Sequence, residues 1–368
     1  MMRPGFNFIL IAFFSLLAAS CAQAPKQDYG TVFYPPPPET PRIQFLTSIS
    51  SEDDLGKTSG FREYLLGEQK SEKQLTRPFG IAHDKGHIYV ADKTANKIII
   101  LDLVKKIFSN IIDVRAGALK DPMSIAITDD GYKYIADAGR EQIVVFDDNN
   151  EFIRAYGNEK QFRPTSVAVY GNKIFVCDIR ENEIEVLDKE SGDVLAKIGK
   201  TGNGKEDLHS PTHLAVDSEG NIFITDALNF RVQMFDKNGK FVRSIGELGT
   251  YPGTFGRPKG IDVDRDGHIY TVDASFELIQ IFDIETGEPL LPFGKFGPAP
   301  GSTYLPTAVH VDYDNVGAFE KYADPDFKLK YLIYVGNMIG SHKLNVYGFG
   351  EWTGTSFKGV YKPPEKKE

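Results

Sequence analysis

Six prolines, Pro78, Pro122, Pro164, Pro211, Pro258 and Pro306, open the same order of residues at intervals of 44, 42, 47, 47 and 48 positions. Each is followed by a short apolar run, a turn, and a second apolar run. In the first five copies that second run closes on an aspartate: Asp92, Asp137, Asp178, Asp226 and Asp273. A third run comes next (Ile98 to Leu101 in the first copy), then a looser fourth, as in "FIRAYG", "VLAKIG" and "FVRSIG". Short apolar runs separated by glycine turns read as strands. A unit of four such strands cannot bury both faces alone, so it must stack on its copies. The sequence therefore predicts an all-β fold, a six-bladed β-propeller.

The last copy lacks an outer strand. Its runs Thr307 to Val311, Tyr331 to Val335 and Lys343 to Tyr347 lead into "GEWTGTSFKGVYKPPEKKE", which has no strand pattern. Upstream of the first copy, "RIQFLTSIS" alternates like the other fourth strands and has no blade of its own. We expect Ile43 to Ile49 to complete the last blade and cover its open edge. The propeller then spans 43–349, with 350–368 as a C-terminal tail.

The stretches "SPTHLAVDSEGNIFITDALNFRVQMFD" and "RPKGIDVDRDGHIYTVDASFELIQIFD" resemble the NHL repeat family. The resemblance implies the propeller and leaves function open, because such propellers serve as enzymes, RNA binders, sensors and scaffolds. Peptidyl-amidating lyases are similar propellers whose catalytic zinc is held by histidines just after the blade prolines. Here those positions are Phe79, Met123, Thr165, Thr212, Lys259 and Thr307, so that zinc site does not carry over. His213 falls one position late, where strand alternation would turn it to another side.

The N-terminus has Arg3, an apolar run from Phe6 to Ala19 and small residues before Cys21. That run is shorter than the roughly 20 residues of a membrane span, so 1–20 reads as a signal peptide. "LAASC" resembles a bacterial lipobox with Cys21 as the lipidated residue; cleavage after "AQA" competes, and so does an uncleaved anchor. Residues 21–42, with "YPPPPETPR", read as a stiff extended spacer. Cys177 is then the one other cysteine, expected buried, with no CxxCH for a covalent haem. The formal charge of −9, or −10 without Arg3, repels phosphate chains and speaks against a nucleic-acid partner.

Among residues that could carry chemistry, the recurrence of the aspartates marks them as strand-end hydrogen-bond acceptors. His83 and His87 align with strand and turn positions of other copies, and both read as structural. Asp262 and His310 stand four residues after their prolines, where the first four copies have alanine. They read either as a polar contact between the last two blades or as ligands for a metal or small molecule. His213 and Lys259 complete the set of channel or interblade polar candidates. No catalytic residue, resident metal or cofactor is assigned.

The loops between blades share one face with those joining second to third strands. On it lie the insert Ser51 to Thr76, with a short helix expected over "FREYLLGEQ", and the loops "GELGTYPGTFGRP" and "GKFGPAPGSTYLP". Tyr64, Tyr251 and Tyr304 on this face are the candidate partner-binding residues. Blade six carries an insert, 313–330, on the opposite face. Either insert could instead plug the channel or brace the ring. The sequence is thus read as a lipid-anchored binding or scaffold module of the bacterial envelope, exposed to the periplasm or the cell surface. Its expected partner is a protein, small molecule or glycan. The alternative is a metal-dependent hydrolase or lyase, like the sugar-lactone hydrolases and streptogramin lyases that share propeller architecture.

Overall fold

A computed structural model describes residues 30–56, 73–112, 115–158 and 160–354, which form six antiparallel sheets. The inner strands are Pro78–Asp84, Pro122–Ile127, Pro164–Tyr170, Pro211–Val216, Pro258–Val263 and Pro306–Asp312. Each packs against the next, and the sixth against the first, so the sheets form a closed ring. Apolar residues interleave between neighbouring sheets, for example Tyr89, Ile98 and Ile100 of blade one with Ile125, Ile135 and Phe146 of blade two. Cys177 is fully buried between blades three and four, and burial pushes its thiol up to about 12.

Blade six is completed from the other end of the chain. Ile43–Ile49 pairs antiparallel with Leu344–Trp352, placing Ile43 opposite Phe349 and Ile49 opposite Leu344. The outer parts of this blade differ from the boundaries read in the sequence. Phe33–Tyr34 adds a fifth strand beside Ile43 and Gln44, and the Phe33 ring packs edge-on against Phe327 and Trp352 at 5.7 and 5.9 Å. The proline run is therefore a turn between two strands, where its missing N–H groups cost no ladder bond. It is not a free spacer reaching to residue 42. The last strand also runs past 349, with Trp352 opposite Phe327, so residues 350–352 belong to the blade. Their partners come from the blade-six insert, whose end extends the strand Phe327–Asn337.

The strand-end aspartates tie each incoming loop to the next turn. Asp92 accepts from the Thr76 N–H at 2.6 Å and from the N–H groups of Thr94 and Ala95; Asp137 and Asp273 do the same in blades two and five. In blade six Asn337 takes over, accepting from the Tyr304 N–H and donating to the His342 carbonyl. The remainder of the blade-six insert braces the join of the ring. Gln44 on the closing strand bonds the backbone of Tyr322 and Asp324, while Asn315 accepts from the Gly86 N–H of blade one at 2.7 Å. The helix expected over "FREYLLGEQ" lies outside the described residues, as do Tyr64 and Cys21.

Candidate functional site: the central channel and its two mouths

The inner strands enclose a cavity of about 220 Å³, bordered by Phe79 and His213 towards the inter-blade loops and by His83, Asp262 and His310 towards the blade-six insert. Every inner strand shifts register just after its proline, as between Pro211 and His213 or Pro258 and Ile261. Such a bulge re-aims the following side chains. This corrects the expectation for His213: alternation counted through the bulge turned it away, whereas it lines the channel.

At the loop-side mouth, Thr307 and Thr165 donate to the carbonyls of Pro78 and Pro211 in the following blades, so these positions join blades. Lys259 and His213 do not pair in this way. His213 is 7% exposed, and neither ring nitrogen has a hydrogen-bond partner. Burial, with the Lys259 charge adding to it, lowers its pKa to about 3, so the ring is neutral. Lys259 is half-buried and is pushed down to about 8 by burial and then by the like charges of Arg257 and Lys93. Lys93 itself pairs with Asp121 at 3.2 Å and lies over the Phe79 ring.

The insert-side mouth is organised differently. Asp262 Oδ2 lies 2.9 Å from His310 Nδ1, His310 Nε2 lies 2.7 Å from His83 Nδ1, and His83 Nε2 lies 3.3 Å from Asp312 Oδ1. Asp314 stands 3.7 Å from the same His83 nitrogen. The outer nitrogen of each ring faces a carboxylate, which favours a hydrogen on both. The facing nitrogens bond through one hydrogen, given by one ring to the other. Burial, followed by the His310 ring, nevertheless holds His83 below its usual range, against the pull of Asp312, Asp314 and Asp262. The facing nitrogens bond to each other, which leaves neither free for a shared metal.

Asp262 and His310 thus make an interblade contact. His83, read from the sequence as structural beside His87, completes the same array. Its neighbour across the ring closure is blade six, so aligning it with apolar residues of blades two to four missed its partner. His87, in contrast, stays at its turn, 3.7 Å from Asp102. Among the described residues, Asp178, Glu183 and Glu185 form a carboxylate cluster close enough to share a cation. Lys197 already bridges the two glutamates. Of the tyrosines, Tyr251 is exposed, with its hydroxyl donating to Glu247. Tyr304 is half-buried, donating to the Gly297 carbonyl and packing edge-on against Phe296.

Residues 162–227 and 217–292 match a family described as a 6-bladed beta-propeller, DUF5128. Protein lin-41 of Caenorhabditis elegans is 37% identical over 83 residues, which is 21% of this chain and 7% of that protein's length. Among solved structures, a protein of unknown function from Bacteroides thetaiotaomicron superposes with a TM-score of 0.58 at 14% identity, covering 83% of this chain and 75% of its own. A catalytically inactive virginiamycin B lyase from Staphylococcus aureus, with quinupristin, superposes with a TM-score of 0.52 at 17% identity, covering 74% and 95%. At these identities the solved structures share the fold alone.

Proposed function

We propose that this propeller is a binding module of the bacterial cell envelope, lipid-anchored through Cys21 and engaging a protein, small-molecule or glycan partner with its loop-rich face. The observation that carries this reading is the rim of blades four to six. Leu228, Leu248, Tyr251, Phe296 and Ile339 are all exposed there, Phe296 by 63% and Leu248 by 65%. Their loops start and end on strands tied by part-buried hydrogen bonds, such as those from Gly256 to Asp273 and from Tyr304 to Asn337. Apolar tips on preorganised loops lose little entropy on binding. The anchor rests on the apolar run and "LAASC" preceding Cys21. A photo-crosslinker at position 251 should trap an envelope partner in cells, and Leu248→Ala should abolish the adduct without lowering the melting temperature. Crosslinking unaffected by both Leu248→Ala and Phe296→Ala would remove this face from the proposal. Cys21→Ser should in addition release the chain from the membrane fraction.

A second reading, a metal-dependent lyase or hydrolase, is favoured by one observation: the Asp262–His310–His83–Asp312 array has the composition of an acid-base relay. Turnover of a lactone or cyclic depsipeptide in the presence of a divalent cation, lost in His310→Gln, would establish it.

A further inference from the structure

Two polar groups at the loop-side mouth, the half-buried Lys259 and the buried His213, are left without a hydrogen bond of good geometry. Lys259 makes no ion pair or hydrogen bond among the described residues, and the charges acting on it, Arg257 and Lys93, are cations. Beneath it, His213 lines the channel with neither ring nitrogen in a hydrogen bond of good geometry, the Phe79 carbonyl alone drawing on its N–H. Beside them Phe79, Met123 and Ala138 form a small apolar cluster, with Met338 packed against it. A partly desolvated cation among like charges is unfavourable unless an anion joins it. Asp121 does not fill that role, since it is paired with Lys93.

We propose that this mouth binds the carboxylate of a small amphiphilic molecule, with Lys259 as its counter-ion, His213 bordering the site from below, and Phe79 receiving the apolar portion. The proposal rests on the reading of the loop-rich face as the binding face, and it names a chemistry that face takes. Phe79 borders both the apolar cluster and the 220 Å³ cavity. A cavity of about 150 Å³ takes benzene, so an aromatic ring or a short alkyl chain suits the space. The cationic side of the mouth selects for charge, and its apolar side selects against a bare inorganic anion.

Calorimetric titration of the purified full chain with benzoate, hexanoate, benzamide and inorganic phosphate at neutral pH and low salt tests this. Benzoate or hexanoate should bind saturably, and Lys259→Met should weaken that binding by at least about tenfold, equivalent to about 1.4 kcal/mol. Lys259→Arg should retain most of it. Lys259→Met removes an unpaired cation and should still fold; Lys259→Gln gives a second variant with the same expected loss. Three results would overturn the proposal: neither acid binding, benzamide or phosphate binding as tightly as the acids, or undiminished binding in both neutral variants. Any of these leaves the crosslinking at position 251 unaffected, so failure here is distinct from failure of the binding-module reading.

Discussion

The two mouths of the channel are built from the same strand of the same repeat, yet they treat their polar groups in opposite ways. Towards the blade-six insert, Asp262, His310, His83 and Asp312 form an unbroken series of contacts. Asp312 is further held by the Tyr334 hydroxyl at 2.7 Å. Towards the loops, Lys259, His213 and the Thr212 hydroxyl lack partners. A completed polar network stabilises the fold and fixes the geometry of the join, whereas an incomplete one destabilises it until something binds. Mutations at the two mouths should therefore change stability in opposite directions.

The largest effect should come from removing the support of the paired mouth. Deleting residues 43–49 strips blade six of its outer strand and of the buried Ile43, Leu46 and Ile49. A loss of at least about 5 kcal/mol, most of the stability of an ordinary domain, is expected. Denaturant melts would check it, and an unchanged midpoint would contradict closure by this strand. Within the paired mouth, Asp262→Ala should cost about 2–3 kcal/mol because it leaves His310 without its acceptor. A double-mutant cycle with His310→Ala should show coupling of about 1–2 kcal/mol; simple additivity would mean the contact is incidental.

At the other mouth the sign should reverse. Lys259→Met should stabilise the chain by about 1–3 kcal/mol at pH 7. The folded pKa of about 8 lies below the ordinary 10.5, so the unfolded chain binds more protons between those values. Stability of the natural protein should rise across that window, and the advantage of the variant should shrink with it. His213 contributes on the acid side. Its pKa is depressed from 6.5 to about 3, so its contribution is present above pH 6.5 and is lost as pH falls towards 3. His213→Gln should flatten that part of a stability profile.

The smallest effects separate the rim from both mouths. Tyr304→Ala should cost about 1 kcal/mol, because its hydroxyl bond and ring contact hold a loop. Tyr251→Ala, at an exposed tip, should leave the melting temperature unchanged. Equal sensitivity at the two positions would mean the rim is a packed structural element.

Repetition made the fold legible, since six copies of one pattern fix blade number, strand order and the role of Asp92 and its equivalents. The strand Ile43–Ile49 could be assigned because it was an orphan beside an incomplete blade. Departures from repetition were harder to read. Phe33–Tyr34 is too short, and too close to prolines, to register as a strand. The direction of His213 depended on a bulge that leaves no mark on apolar alternation. His83 found its partners only across the closure, over 227 positions of sequence. Lys259 was visible as an odd residue at a channel position, but its lack of an acceptor is a property of the packed ring.

A site-resolved titration of Lys259, following its ε-methylene resonance by NMR after isotopic labelling, tests the central contrast most directly. An unpaired, desolvated amine should titrate near pH 8 and move upwards when benzoate is added, as its charged form gains a counter-ion. Titration at the ordinary value near 10.5, unmoved by benzoate, would mean that the amine is solvated or already paired and that the two mouths do not differ.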